Sequence, residues 1–165
     1  MNAADFPRVG LPEVIERLAS MPAFVHAALD AASHDELVFR PGEGGEFSLV
    51  EHACHLRDLE REGYLTRVRR VLAEDLPTLD PFEGDRIARE RNYLEQDAHA
   101  AAREFAATRR ETVALLAPLT GAELEREAMF AGKRITLLEL IAMIVEHDRG
   151  HREEMESLAE ALESP

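Results

Sequence analysis

The chain has 165 residues, 18.5 kDa, 45% hydrophobic and 32% charged side chains, and a formal charge of −14. That length and balance describe one globular domain over residues 1–165, with enough apolar material for a buried core, and exclude a disordered chain. The strong negative charge excludes the basic face that nucleic acid or an anionic membrane surface requires.

The first helix is expected to begin near Pro12, a residue suited to a first helical turn. Val14, Ile15, Leu18, Val25, Ala28 and Leu29 repeat along it at helical spacing, and Pro22 predicts a kink or break. Ser33 to Pro41 reads as a short capped turn and Gly42 to Gly45 as a flexible loop. Ser48 and Glu51 form a capping box that opens a second helix running to about Asp75. Pro77, Pro81 and Gly84 mark an irregular connection, long enough that the next helix need not be a hairpin partner.

The third helix is expected over Asp85 to Leu116. Leu94, Ala98, Ala101, Phe105, Thr108, Thr112 and Leu115 alternate by four and three, the pattern of a bundle seam. Pro118 ends it, Thr120 and Glu123 cap a short extra helix, and a turn follows at Gly132-Lys133. Thr136 and Glu139 then open a fourth helix that runs to about Leu162. No segment shows strand-like alternation. The expected architecture is therefore all-α, a four-helix bundle with one short helix before the last long one.

The single cysteine, Cys54, excludes an internal disulfide and fits a reducing compartment. Met1 to Gly10 lacks the basic and apolar regions of a signal peptide, and no apolar run reaches membrane-spanning length, so a cytoplasmic protein is expected. Next to His55, Cys54 invites a nucleophilic role. Adjacent helical residues do not face each other, however, and nothing nearby depresses the thiol pKa, so core packing is the better reading.

Histidines carry the chemistry. His147 and His151 lie one helical turn apart, on the same stripe as Leu140, Met143, Ile144, Met155, Leu158 and Leu162. Two imidazoles buried together need hydrogen-bond partners or a metal ion, and core histidines satisfied by side chains or water are the plain alternative. Gly150 between them either permits close approach or is a tolerated surface glycine. The spacing His147-Asp148-x-x-His151 is one residue type away from the zinc-protease motif, but the shorter Asp148 and the missing accompanying signatures make a structural contact the better reading for Asp148. A third ligand is available from the second helix, where His52 and His55 project about 60° apart. His52 points with Leu56, Leu59 and Gly63, whereas His55 shares a polar stripe with Glu51, Asp58 and Glu62 that reads equally as solvated surface. Periodicity does not choose between the two.

The run Phe47-Ser-Leu-Val-Glu-His-Ala-Cys-His55-Leu-Arg-Asp58-Leu-Glu-Arg, followed by Pro77 to Asp85, resembles the second-helix signature of the DinB-like (DinB/YfiT) superfamily. Thr136-Leu-Leu-Glu-Leu-Ile-Ala and His147-Asp-Arg-Gly-His151 resemble its last helix. The resemblance covers nearly the whole chain. It implies a mirror variant of the up-and-down four-helix topology, commonly a homodimer, and a divalent metal held by three histidines. The positions that match those ligands are His55, His147 and His151. Phe47 stands where the family commonly has tryptophan, and Glu154 where it often has glutamine. Glu154 projects to the histidine face, where a carboxylate can add a ligand, contact a histidine or repel an anionic substrate; Asp58 is the other candidate to orient His55 or touch substrate.

Neutral imidazoles suit zinc, nickel and iron alike, leave the ion its full charge, and let it acidify bound water or thiol and polarise a carbonyl. The resemblance implies a transferase that uses a low-molecular-weight thiol on a small electrophilic substrate. A metal-dependent hydrolase and a non-catalytic metal- or ligand-binding bundle are the competing expectations.

Overall fold

The computed structural model describes residues 6–41 and 46–163, so the loop expected at Gly42 to Gly45 lies outside the described residues. Helix α1 spans Phe6–Ala31, with Gly10 at φ 72 and ψ 150 interrupting its first turns. A residue with a Cβ is strained at that φ, so glycine suits the break. The helix is regular from there onward, which agrees with a start near Pro12. Of the kink or break expected at Pro22, the break does not occur and the backbone stays helical: the buried side chains of Met21 and Val25 hold the turn around Pro22 against the core and outweigh the lost hydrogen bond.

A one-turn helix α2 (His34–Leu37) carries a Ser33–Glu36 capping box. Helix α3 (Leu49–Asp58) opens on Ser48, whose backbone N–H and hydroxyl both donate to Glu51 at 3.0 and 2.9 Å. It continues through a π-helical turn (Leu59–Tyr64) into α4 (Leu65–Ala73). A widened turn inside a long helix shifts which residues face inward. Here Leu59, Glu60, Gly63 and Tyr64 are all buried. Gly63 fits because a Cβ there would stand 2.5 Å from Leu59 Cδ1.

The expected third helix is two helices. Short α5 (Gly84–Glu90) and a 3₁₀ turn (Tyr93–Glu95) precede α6 (Ala98–Leu116), with Asn92 in the left-handed region between them. Asp97 caps α6 by accepting from the Ala100 N–H at 2.8 Å. Its buried stripe is Ala98, Ala101, Ala102, Phe105, Arg109, Thr112 and Leu116, so the expected seam shifts by one residue at Thr108 and Leu115. A straight helix of 3.6 residues per turn drifts against a strict seven-residue repeat, and the stripe follows the helix.

Helix α7 (Gly121–Leu124) is the expected extra helix. The absence of strands expected from sequence is corrected by a small sheet of order β1-β2-β3, made of Thr78–Leu79, Glu127–Phe130 and Lys133–Thr136. Strands β2 and β3 form an antiparallel hairpin around Ala131 and Gly132, both at positive φ, which matches the twist of a two-residue turn. Strand β1 pairs parallel to β2 and so fastens the long connection. Such short strands carry no readable alternation. Helix α8 (Leu137–Glu163) leaves the hairpin directly, with the Thr136 N–H donating to Glu139 at 2.7 Å.

The architecture is an α-helical four-helix bundle of α1, α3/α4, α6 and α8. Helix α1 lies against α6 and α8, and α3/α4 lies against the same two, so α1 sits diagonally from α3/α4 and α6 from α8, while α3/α4 and α6 are neighbours both in the chain and in space. No described helix is long and apolar enough to cross a membrane.

At the centre is a charge. Arg109 is 2% exposed, and its guanidinium donates to Leu18 O of α1 at 3.1 Å, Glu60 of the π turn at 2.8 Å, and both Asp148 oxygens of α8 at 2.5 and 3.0 Å. The Thr112 hydroxyl donates to the other Glu60 oxygen at 2.5 Å. Burial opposes the guanidinium charge, but Asp148 and Glu60 outweigh it and raise the Arg109 pKa. Burial also raises the Asp148 carboxyl while Arg109 pulls it back. The two-pronged hydrogen bonding between them is strongest with both ionised, and we take the pair in that state. Replacing Arg109 with alanine strands two buried carboxylates, so Arg109→Ala is expected to lower the unfolding free energy by about 3–5 kcal/mol, measured by urea denaturation.

Candidate metal centre

The capping box at Ser48 starts α3 so that His52 and His55 fall on its inner side, 1% and 8% exposed. The Thr136–Glu139 cap starts α8 so that His147 and His151 face them. Across the bundle His55 Nε2 stands 3.2 Å from His147 Nε2, and His147 Nε2 stands 3.0 Å from His151 Nε2. The three residues that sequence singled out thus meet at one point.

His52 meets them too. Its Nδ1 lies 2.7 Å from His151 Nδ1, on the side of that ring away from the other two histidines. Glu154 Oε2 stands 3.5 Å from His151 Nδ1 and 3.8 Å from His52 Nε2. Both candidates from the second helix therefore reach the site, which projection at one residue per 100° left undecided. A 60° separation is small enough for two long rings on one helix to converge.

Rings and backbone pack this cluster from several sides. Phe47 stands 5.4 Å from the His55 ring and 5.7 Å from His52, Phe82 stands 5.8 Å from His55, and Tyr64 stands 5.7 Å from His147, centroid to centroid. Gly84, at the start of α5, presses its backbone on His55: a Cβ there would lie 2.6 Å from Cε1 and 2.9 Å from Nδ1. The connection that β1 anchors therefore forms one wall of the site. A glycine at a helix start beside a proline-rich loop was the only sequence signal for this contact.

Burial depresses all four histidines. The pKa falls to about 4 for His52 and His55 and to about 3 for His147, where desolvation acts with neighbouring His55 and Arg109; His151 moves in the same direction. They are neutral at physiological pH, the protonation state that ligates metals. Asp58, a candidate to orient His55, is instead engaged elsewhere. It accepts from Arg57, Arg91 and the Tyr93 hydroxyl, each at 2.7 Å, and these bonds overcome its burial and hold the carboxyl below its usual range. The polar stripe on this face is buried at Glu51 and Asp58 and solvated only at Glu62, with Glu51 held by Arg40 and Ser48. Asp148 makes its structural contact with Arg109. Cys54 is buried with its thiol pushed up to about 12, which fits core packing and not nucleophilic chemistry.

The donor set fits a divalent ion. Two nitrogens bound about 2.0–2.1 Å from one ion at right-angle to tetrahedral geometry stand about 2.8–3.4 Å apart, the range in which these Nε2 atoms lie. Neutral imidazoles cannot all donate and accept around a single point, so the crowding costs energy that a cation converts to attraction. Among the described residues, the outer Nδ1 atoms of His55 and His147 have no hydrogen-bond partner. A cavity of about 670 Å³ opens beside the cluster, lined by His52, His55, His151, Phe47 and Leu158, with Glu46, Asp85, Glu153 and Glu154 around it and, among the described residues, no lysine or arginine. Gly150 borders it with open space at its Cβ position.

The sequence profile of the DinB superfamily matches residues 17–155. A comparison with curated proteins finds no match. Among solved structures the fold is similar to YfiT from Bacillus subtilis, described as a probable metal-dependent hydrolase with an unusual four-helix bundle topology, at a TM-score of 0.84 and 20% identity over 92% of this chain and 87% of that one.

Two glycines at this site are expected to respond oppositely to alanine. Gly84→Ala pushes His55 from its place and weakens zinc binding about tenfold or more in a chelator competition assay. Gly150→Ala leaves zinc binding unchanged and stabilises α8 by up to about 1 kcal/mol in thermal unfolding.

Proposed function

The chain belongs to the DinB superfamily, and from that premise we propose that it is a metal-dependent hydrolase of a small neutral or cationic substrate. His55, His147 and His151 hold the ion. The observation that carries this reading is the convergence of three neutral imidazoles beside a cavity edged with carboxylates and, among the described residues, without lysine or arginine in its lining.

A divalent ion held by three neutral histidines acidifies coordinated water and polarises an oxygen of the substrate. The protein's own residues supply the rest. Among the four carboxylates, Glu154 stands beside His151, and partial desolvation together with Glu46 raises its pKa. In this reading it serves as the general base that takes the proton of the attacking water. Phe47 and Leu158 offer apolar walls to the substrate, while Glu46 and Asp85 draw positive charge toward the mouth, where Glu153 is already paired with Arg149.

The same charge distribution disfavours the thiol-dependent transfer that the sequence resemblance implied. Low-molecular-weight thiols that carry carboxylates would meet acidic residues with no basic partner in the cavity lining.

The test begins with metal content by mass spectrometry. One ion per chain is expected, lost in His55→Ala, His147→Ala and His151→Ala. Neutral and amine-bearing esters and amides are expected to turn over, and Glu154→Gln to lower kcat by about 10²–10⁴-fold. Turnover confined to thiol-plus-electrophile mixtures would sink the hydrolase reading and leave the centre standing; unchanged metal content in all three histidine variants would sink both.

A further inference from the structure

His52 lies outside the triad, yet it is the most buried of the four histidines at the site and makes the shortest nitrogen–nitrogen contact among them. We propose that His52 is a positioning residue that fixes the tautomer of His151, so that the His151 Nε2 lone pair faces the ion. This rests on the triad reading above, and extends it to a residue that contacts no ion.

The proton logic follows from the contacts. A neutral imidazole carries one N–H and one lone pair. His151 presents Nε2 toward His147 Nε2 at 3.0 Å and Nδ1 toward His52 Nδ1 at 2.7 Å. For Nε2 to ligate, the proton must sit on Nδ1. His52 Nδ1 is then the acceptor, which places the proton of His52 on its own Nε2. That nitrogen faces the Glu154 carboxylate at 3.8 Å, an attraction that favours the same arrangement. In free histidine the Nε2–H form is preferred, so His151 needs an acceptor at Nδ1 to ligate through Nε2; His52 Nδ1 at 2.7 Å is the hydrogen-bonded candidate, whereas Glu154 Oε2 stands at 3.5 Å without a hydrogen bond to that nitrogen.

His52 is itself held. Its ring stands edge-on to His151, with centroids 5.0 Å apart at 83°, and edge-on to Phe47 at 81°. Among the described residues His55 and His147 have no partner for their outer Nδ1 atoms, so His151 is the ligand whose ring the protein orients by hydrogen bonding. Orientation of a ligand histidine through its second nitrogen raises metal affinity.

The experiment uses the full chain, metal-free and zinc-loaded, with His52→Phe and His52→Asn. Asparagine puts an amide oxygen near the place of Nδ1 and keeps an acceptor; phenylalanine keeps the packing and removes it. Long-range ¹H–¹⁵N NMR of the imidazoles is expected to show His151 as the Nδ1–H tautomer in the metal-free wild type and in His52→Asn, and to show that population lost in His52→Phe. Zinc affinity by chelator competition is expected to fall about 10–100-fold in His52→Phe and to recover in His52→Asn. An unchanged His151 tautomer in folded His52→Phe would overturn the assignment. So would two zinc ions per wild-type chain, because His52 and Glu154 would then hold an ion of their own. Should His52→Phe fail to fold, the wild-type spectrum decides: His151 as the Nε2–H form rejects the proposal. A wild-type chain that binds no zinc defeats the functional reading, and the metal-free tautomer still judges His52 separately.

Discussion

Arg109 leaves α6 in the middle of the bundle, where no water can solvate its charge, and reaches the other three main helices through Leu18 O, Glu60 and Asp148. An ion in such a place is tolerated only when its partners are in position, because each misplaced hydrogen bond leaves part of a buried charge bare. Apolar side chains can slide past one another at small cost. A two-pronged guanidinium–carboxylate contact cannot, and it therefore sets the register and rotation of the helices that share it. The surrounding core divides into a cluster around Leu18, Val68, Leu140 and Ile141 and another around Met21, Leu56, Phe105 and Met155, which fill the space about this ionic centre.

The histidines inherit their geometry from that constraint. Asp148 follows His147 directly, so anchoring Asp148 to Arg109 turns the faces of His147 and His151 toward α3. Glu60 belongs to the π turn that begins one residue after Asp58, so the same guanidinium also fixes where α3 ends and how its histidines are aimed. The widened turn is what allows Glu60 to point inward a short distance beyond His55 without disturbing the α-helical run that carries His52 and His55. Buried charge behind the site and neutral imidazoles within it are thus two parts of one arrangement.

The connection from Pro77 to Gln96 closes the other side. Strand β1 pins its start to β2, and Asp58 pins its end through Arg91 and Tyr93. Between these anchors Phe82 and Gly84 rest on His55. Asp58 therefore serves the centre from a distance, by holding the segment that confines His55, and not by a bond to the ring. Acidic residues on the cavity edge belong to three different stretches of chain, Glu46, Asp85 and Glu153 with Glu154, and only the fold assembles them there, Glu153 paired with Arg149.

Much of this is local and was legible as such. Each of the capping boxes at Ser48, Thr120 and Thr136 marks a true helix start, since a cap involves residues three apart whatever the rest of the chain does. The i,i+4 pairing of His147 and His151 and the burial of Leu140, Ile144, Met155 and Leu158 on their face follow from helical periodicity alone, while Met143, expected on the same stripe, is exposed. Arg109 could have been noticed as a charge on an apolar stripe between Phe105 and Thr112. What residue order could not supply depends on segments far apart in the chain. Two-residue β1 exists only because β2 is there to pair with it, and the shift of the α6 stripe follows helix drift over its length. His52 and His55 could not be ranked, because the rotation of α3 is set by the π turn and by Arg109, and both rings in fact arrive. The sequence by itself determined the helices, their caps and the stock of imidazoles; the tertiary structure decided which nitrogens face one another, because that depends on the helix rotation imposed by a buried charge.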